Sequence, residues 1–225
     1  MFIAKIGCVM DFATQRTAMV DNQIRTTDVT DYKVLEALLT VPREEFVPTA
    51  QRPLAYIDED VSIGRGRYLM EPSPFAKLIQ LAAIGPRDVV LDVGCGTGYS
   101  SGIISHLAGS VVALESDPEL AAAAMETLTR LELVNVVVVE GPLNEGYPSE
   151  APYDVIVIEG AVMELPDAFF DQLRDGGRLV VVEGVGNSAM ARLYMKDEGI
   201  VSGRFAFNCA VKPLPGFEKK ATFVF

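Results

Sequence analysis

The chain has 225 residues, 49% of them hydrophobic and 22% charged, which suits one globular unit with a full core and excludes a disordered segment. No apolar run reaches the roughly 20 residues that cross a bilayer, so no membrane association is expected. Of 19 basic and 31 acidic residues, 3 and 17 fall in residues 88–187, a segment that repels a phosphate backbone, excludes nucleic acid as the main partner and favours a cation.

Met1–Val9 is apolar but broken by Lys5 and followed by no cleavage site, so it reads as a loose extension, with Met10 as an alternative start. Phe12–Arg25 has helical spacing, and Asp31 caps a second helix, Tyr32–Thr40, in which Val34, Leu35, Leu38 and Leu39 recur at that period. Pro42 and Pro48 force an extended link. Residues 57–72 are polar, contain Gly64 and Gly66, and read as a functional loop. Ser73-Pro74 is expected to open the helix Phe75–Ala83. From Asp88 strands and helices alternate: strands Asp88–Val93, Ser110–Leu114, Val134–Val139, Tyr153–Ile158 and Arg178–Glu183, with helices Tyr99–Leu107, Asp117–Glu132 and Pro166–Arg174 between them. Val134–Val139 is apolar except for Asn135, which predicts burial on both faces. A turn at Asp197–Gly199 predicts a hairpin of strands 189–196 and 200–209, joined by a last strand at Ala221–Phe225. This order predicts an α/β fold with a doubly wound, mostly parallel sheet, antiparallel C-terminal strands and an N-terminal helical extension. Residues 1–87 supply helices and a site loop packed on residues 88–225, one globular unit overall.

Cys8, Cys95 and Cys209 are far apart and odd in number, so a reduced, cytoplasmic protein without disulfides is expected. His106 is the single histidine and no ligand-spaced cluster surrounds it, so no metal is expected. It reads as a partner of its helix C-terminus.

The sharpest signal is Val90-Leu91-Asp92-Val93-Gly94-Cys95-Gly96-Thr97-Gly98-Tyr99, a glycine turn between a strand and a helix. Glu115 ends the next strand about 20 residues on, placed for the hydroxyls of an adenosine ribose. Two features separate this turn from a dinucleotide site. The third glycine comes one residue early, and Asp92 would face and repel a pyrophosphate. S-adenosylmethionine (SAM) carries a sulfonium and an ammonium and no phosphate, so the turn favours SAM over a nicotinamide cofactor.

The run VLDVGCGTGYSSGIISHLAG, with VVALESDPELA after it, resembles class I SAM-dependent methyltransferases, whose sheet is Rossmann-like. VLEALLTVPREEFVP, VSIGRG and YDVIVIEGAVMELPDAFFDQLRDGGRLVVVEG narrow the resemblance to the protein-L-isoaspartate O-methyltransferase family. It implies SAM held by Asp92, Gly94, Cys95, Gly96 and Gly98, with Glu115, Ser116, Gly141, Pro142 and Glu159 completing the cofactor site. It also implies an acceptor loop at 62–72 that receives a protein or peptide carboxylate, the α-carboxyl of a damaged L-isoaspartyl residue. A carboxylate is already a nucleophile at neutral pH, so no histidine base is required.

Where the family has Gln-Thr-Ile-Ser, this chain has Arg67, Tyr68, Leu69 and Met70. Met70 aligns with the family's active-site serine and has no hydroxyl. Arg67 is a candidate clamp for the acceptor carboxylate, and Tyr68 either a replacement hydroxyl or an aromatic lid. Leu69 and Met70 read as packing residues, Arg65 as a solvated arginine and Lys219-Lys220 as a solvated turn. Pro142 stands where the family has an aspartate for the adenine amine, and Glu159-Gly160-Ala161 replaces a small, uncharged stretch. Three readings stay open: a repair-type carboxyl methyltransferase, a methyltransferase with another acceptor, and a non-catalytic SAM-binding protein. Monomer and homodimer also stay open.

Overall fold

The computed structural model describes residues 10–218. The extension Met1–Val9, Cys8 within it, the pair Lys219-Lys220 and the expected strand Ala221–Phe225 lie outside the described residues. Helix α1 (Phe12–Met19) passes into a wider turn at Val20–Ile24, and α2 spans Tyr32–Thr40. The Asp31 side chain accepts from the Lys33 and Val34 amides, as the sequence predicts, because a short carboxylate satisfies donors that a helix start leaves free.

Residues 57–72 differ from expectation. They fold into a small hairpin, β1 (Val61–Gly64) against β2 (Arg67–Leu69), with Arg65 and Gly66 turning the chain at positive φ. Helix α3 (Pro72–Ala82) starts earlier than predicted, with Glu71 as N-cap and Pro72 at the first position. Ser73 does not cap it; its hydroxyl donates to Thr27 at 3.0 Å.

The main sheet holds β3 (Val89–Val93), β4 (Ser110–Glu115), β5 (Val136–Glu140), β6 (Tyr153–Val162), β7 (Leu173–Glu183), β8 (Met190–Asp197) and β9 (Ile200–Asn208). Their order is β5-β4-β3-β6-β7-β8-β9, parallel through β7, with β8 and β9 antiparallel at the end. Side chains alternate between two cores. Val90, Val155, Val157, Val180 and Val182 face the N-terminal helices, α3, α4 (Tyr99–Ser105) and α5 (Pro118–Arg130). Leu91, Val93, Ile156, Ile158, Leu179 and Val181 face Leu143, Phe169, Leu214 and Phe217.

Two further expectations are corrected. β5 is an edge strand and none of its residues is fully buried; Val137 is 62% exposed. Val136 and Val138 pack on the helix-facing core and Val139 on the opposite one, each only partly covered because no strand lies beyond β5 among the described residues. The helix expected over Pro166–Arg174 shrinks to α6 (Ala168–Asp171), and β7 begins at Leu173. Gln172 is the cause: its side chain serves the Tyr147 amide and the Glu145 carbonyl, both at 2.8 Å, and its carbonyl accepts from the Tyr153 amide at 2.9 Å. Among the described residues no helix is long and apolar enough to cross a membrane.

Candidate active site

The order reverses between β3 and β6, so the ends of these strands form the crevice where ligands of open α/β sheets bind. The glycine turn lies there. Gly94, Gly96 and Gly98 have φ of 82°, 58° and 95°, a region in which a side chain is strained. The Gly94 and Cys95 amides both donate to the Leu114 carbonyl, at 2.8 and 3.2 Å, and bind the turn to β4. A Cβ on Gly98 would meet Ala124 and Leu128 at 3.0–3.1 Å, so this glycine also lets α4 approach α5.

Glu115 ends β4 and is fully buried. One carboxylate oxygen accepts from the Gly96 amide at 2.8 Å, and the other from the Ser116 and Asp117 amides at 2.8 and 3.1 Å. The Arg67 guanidinium completes the shell, donating to Glu115 at 2.6 Å and to the Gly94 carbonyl at 2.9 Å. Arg67, expected as a clamp for the acceptor carboxylate, thus faces Glu115 and the Gly94 carbonyl. A three-residue strand alternates sides, so Arg67 and Leu69 turn inward and Tyr68 outward. A buried carboxylate needs a cation, and Arg67 supplies it. Arg65 is likewise not merely solvated: it pairs with Asp117 and, at 3.0 Å, with Glu119.

Asp92 is buried and does not line the pocket. One oxygen accepts from the Ser100 and Ser101 hydroxyls at 2.7 and 2.5 Å, and the other has no partner. Burial, with the Glu115 charge added, pushes its carboxyl up to about 6, against the serine hydroxyls and Arg67. An acid whose pKa is higher folded than unfolded stabilises the fold fully below its ordinary value of 3.8, and that contribution is lost as pH rises from there through about 6. Asp92→Asn is expected to flatten the pH dependence of thermal unfolding between about pH 4 and 6; an unchanged slope would mean Asp92 does not titrate there. The Cys95 thiol is buried and pushed well up by burial and by Asp92, so it stays protonated and contributes mainly its backbone.

A narrow pocket of about 20 Å³ lies between Ile63, Tyr68, Met70, Gly94, Cys95 and Glu159. That is room for about one water, because the hairpin and the Arg67 side chain fill the crevice. Met70 and Leu69 are buried, as the sequence predicts; Tyr68 is 41% exposed, with the Lys212 ammonium 5.4 Å from its ring centre. Gly141 reaches the site through its amide, which donates to the Glu115 carbonyl at 3.1 Å, whereas Pro142 is exposed and outside the pocket. His106 caps the end of α4, away from the pocket.

Sequence reasoning missed Arg43. It is 1% exposed, donates to the Ala55 and Met70 carbonyls at 2.7 Å each, and stands 4.8 Å from the Tyr99 ring centre. It therefore fixes the backbone just after β2 against the helix that follows the glycine turn. Its only signal was position, an arginine between two prolines and ahead of a buried phenylalanine.

A glycine turn at the switch point of this sheet, with a buried acid on the neighbouring strand, defines a class I methyltransferase fold. The family model for protein-L-isoaspartate(D-aspartate) O-methyltransferase matches residues 14–218. A protein-L-isoaspartate O-methyltransferase of Koribacter versatilis is 39% identical over 91% of this chain and 92% of its own. One from Anaeromyxobacter sp. is 42% identical over 76% of this chain and 70% of its own. Among solved structures, a protein-L-isoaspartate O-methyltransferase superposes with a TM-score of 0.75 at 26% identity; 90% of this chain is covered, and this chain spans 65% of that one. The chain belongs to the protein-L-isoaspartate(D-aspartate) O-methyltransferase family.

Proposed function

We propose that the chain is a SAM-dependent carboxyl O-methyltransferase that esterifies the α-carboxyl of L-isoaspartyl residues in proteins, a repair-type activity in a reducing, cytoplasmic setting. The observation that carries this reading is Glu115, held by the Gly96 amide at the switch point inside a family match spanning residues 14–218. The residues fit a cationic nucleoside. Asp92 and Glu115 gather at the turn with Arg67 as counter-cation, a surplus of acid that suits a sulfonium and an ammonium. Gly94, Cys95, Gly96 and Gly98 would cradle it and Glu115 would take its ribose hydroxyls, with Ser116 and Gly141 at the strand ends beside it.

Bound there, SAM supplies an electrophilic methyl on a positively charged sulfur. The chain supplies alignment and exclusion of water, effects that lower a barrier by about 7–11 kcal/mol when reactants are held in line. The acceptor is already anionic, so no residue need remove a proton at the reacting oxygen. The buried Leu69 and Met70 make the acceptor side dry, which strengthens the attraction between carboxylate and sulfonium.

Incubation with methyl-labelled SAM and an L-isoaspartyl peptide is expected to yield a base-labile methyl ester, with the matching aspartyl peptide inert. SAM binding without ester formation would overturn the reading. Calorimetry on Glu115→Ala is expected to show SAM affinity lower by roughly 1.5–3 kcal/mol, the scale of hydrogen bonds to a charged group. Unchanged affinity would place the ribose elsewhere.

A further inference from the structure

Glu159 follows Ile158, the residue that pairs with Val93, so it stands beside the glycine turn on the adjacent strand. Its side chain borders two pockets that share Tyr68 and Met70. One is bounded by Gly94, Cys95 and Ser100 on the cofactor side, the other by Asp60, Val211 and Lys212 on the far side. Its Oε1 is closed off from solvent and has no hydrogen-bond partner. Of the six buried side-chain atoms without a partner among the described residues, this is the one whose residue lines both pockets, which calls for an explanation in function. Arg67 does not answer it: its hydrogen bonds go to Glu115 and to the Gly94 carbonyl, and none reaches Glu159 Oε1.

We propose that Glu159 positions the methyl-accepting carboxylate, donating the proton of its carboxylic acid to one acceptor oxygen and leaving the other free to attack. This assignment rests on the carboxyl methyltransferase reading above. It gives the chain a neutral O–H donor beside Tyr68 and Met70, where the acceptor loop has lost its small hydroxyls. The O–C bond forms at the free acceptor oxygen as the S–C bond breaks, the bonding pair stays on sulfur, and Glu159 keeps its proton throughout.

The surroundings favour the acid form. The groups that face Glu159 are Asp92 on β3, Cys95 in the turn, Arg67 and Tyr68 on β2, Asp60 before β1 and Lys212 after β9. Burial and the Asp92 charge push the Glu159 carboxyl well up, and Arg67 opposes them. An incoming carboxylate adds another negative charge and holds the proton more firmly. Lys212 supplies a cation on the acceptor side of the same junction.

Fluorescence anisotropy of a labelled L-isoaspartyl peptide, with S-adenosylhomocysteine present, reads acceptor binding without turnover. Glu159→Gln keeps a neutral donor and is expected to bind within about threefold of wild type at pH 7, a small fraction of the tenfold that one strong contact commands. Glu159→Ala is expected to bind about 10- to 100-fold more weakly, the loss of one charge-assisted hydrogen bond. Wild-type binding should weaken as pH rises and Glu159 ionises, while the Gln variant stays flat. A rise in Tm with S-adenosylhomocysteine in each variant checks that the fold and cofactor site are intact. Unchanged binding in Glu159→Ala, or Glu159→Gln as weak as Glu159→Ala, would overturn the proposal and leave the carboxyl methyltransferase reading standing. A wild type that binds S-adenosylhomocysteine but neither binds nor methylates the peptide would overturn both.

Discussion

Arg67→Met is expected to bind SAM at least about tenfold more tightly than wild type, while its ligand-free form loses roughly 3 kcal/mol of stability. Both effects come from one side chain. Arg67 donates to Glu115 at 2.6 Å and to the Gly94 carbonyl at 2.9 Å, the groups assigned above to the cofactor. In the ligand-free fold the guanidinium is the cation of a site built for a cationic ligand. A ribose on Glu115 must displace it, and affinity falls by the free energy of that displacement. Without Arg67 the cofactor pays no such cost, but ligand-free Glu115 is left as a buried carboxylate without its cation. The loss stays at the low end of the usual 3–5 kcal/mol because the Gly96, Ser116 and Asp117 amides still donate to Glu115. Thermal unfolding with and without SAM measures both terms: a lower ligand-free Tm and a larger rise on adding SAM. Weaker SAM binding in Arg67→Met would show instead that the guanidinium holds the cofactor.

Local signals explain what the sequence revealed. Asp31 with Val34, Leu35 and Leu38 defines α2 within ten residues, and three glycines between an apolar run and a helix define the cofactor turn. What stayed hidden depends on residues far apart in the chain. The apolar β5 reads as central, yet its edge position is set by strand order, which its own residues do not encode. Strands β1 and β2 have four and three residues, too few for an alternation to stand out from a polar loop. Gln172 ends α6 through partners near residue 147, a tertiary contact that overrides helical spacing. Arg67 and Glu115 are separated by 48 residues, and nothing beside either names the other. The same holds for Glu159, whose place in a pocket follows from the pairing of β3 with β6.

The double substitution Tyr68→Thr, Met70→Ser is expected to raise kcat/KM for L-isoaspartyl peptides about 100-fold in the Glu159→Ala background, and by less in wild type. Two hydroxyl contacts to a charged carboxylate, at roughly 1.5 kcal/mol each, give that factor. Wild type gains less because Glu159 already donates to the same acceptor. The positions differ in what substitution costs. Tyr68 is 41% exposed and gives way easily, whereas Met70 is 7% exposed and packs in the larger core. Shortening a buried methionine loses about 2–5 kcal/mol, so the Tm of the variant should fall even as its turnover rises. The new serine nevertheless keeps its place, since Arg43 holds the backbone carbonyl of residue 70 at 2.7 Å and not the side chain. SAM affinity should change little, because neither residue belongs to the glycine turn or to Glu115. Steady-state kinetics on the four combinations of double and Glu159 variants, with SAM affinity measured beside them, separates the contributions. A double variant that binds SAM normally and gains no turnover in either background would mean that residues 67–70 do not touch the acceptor.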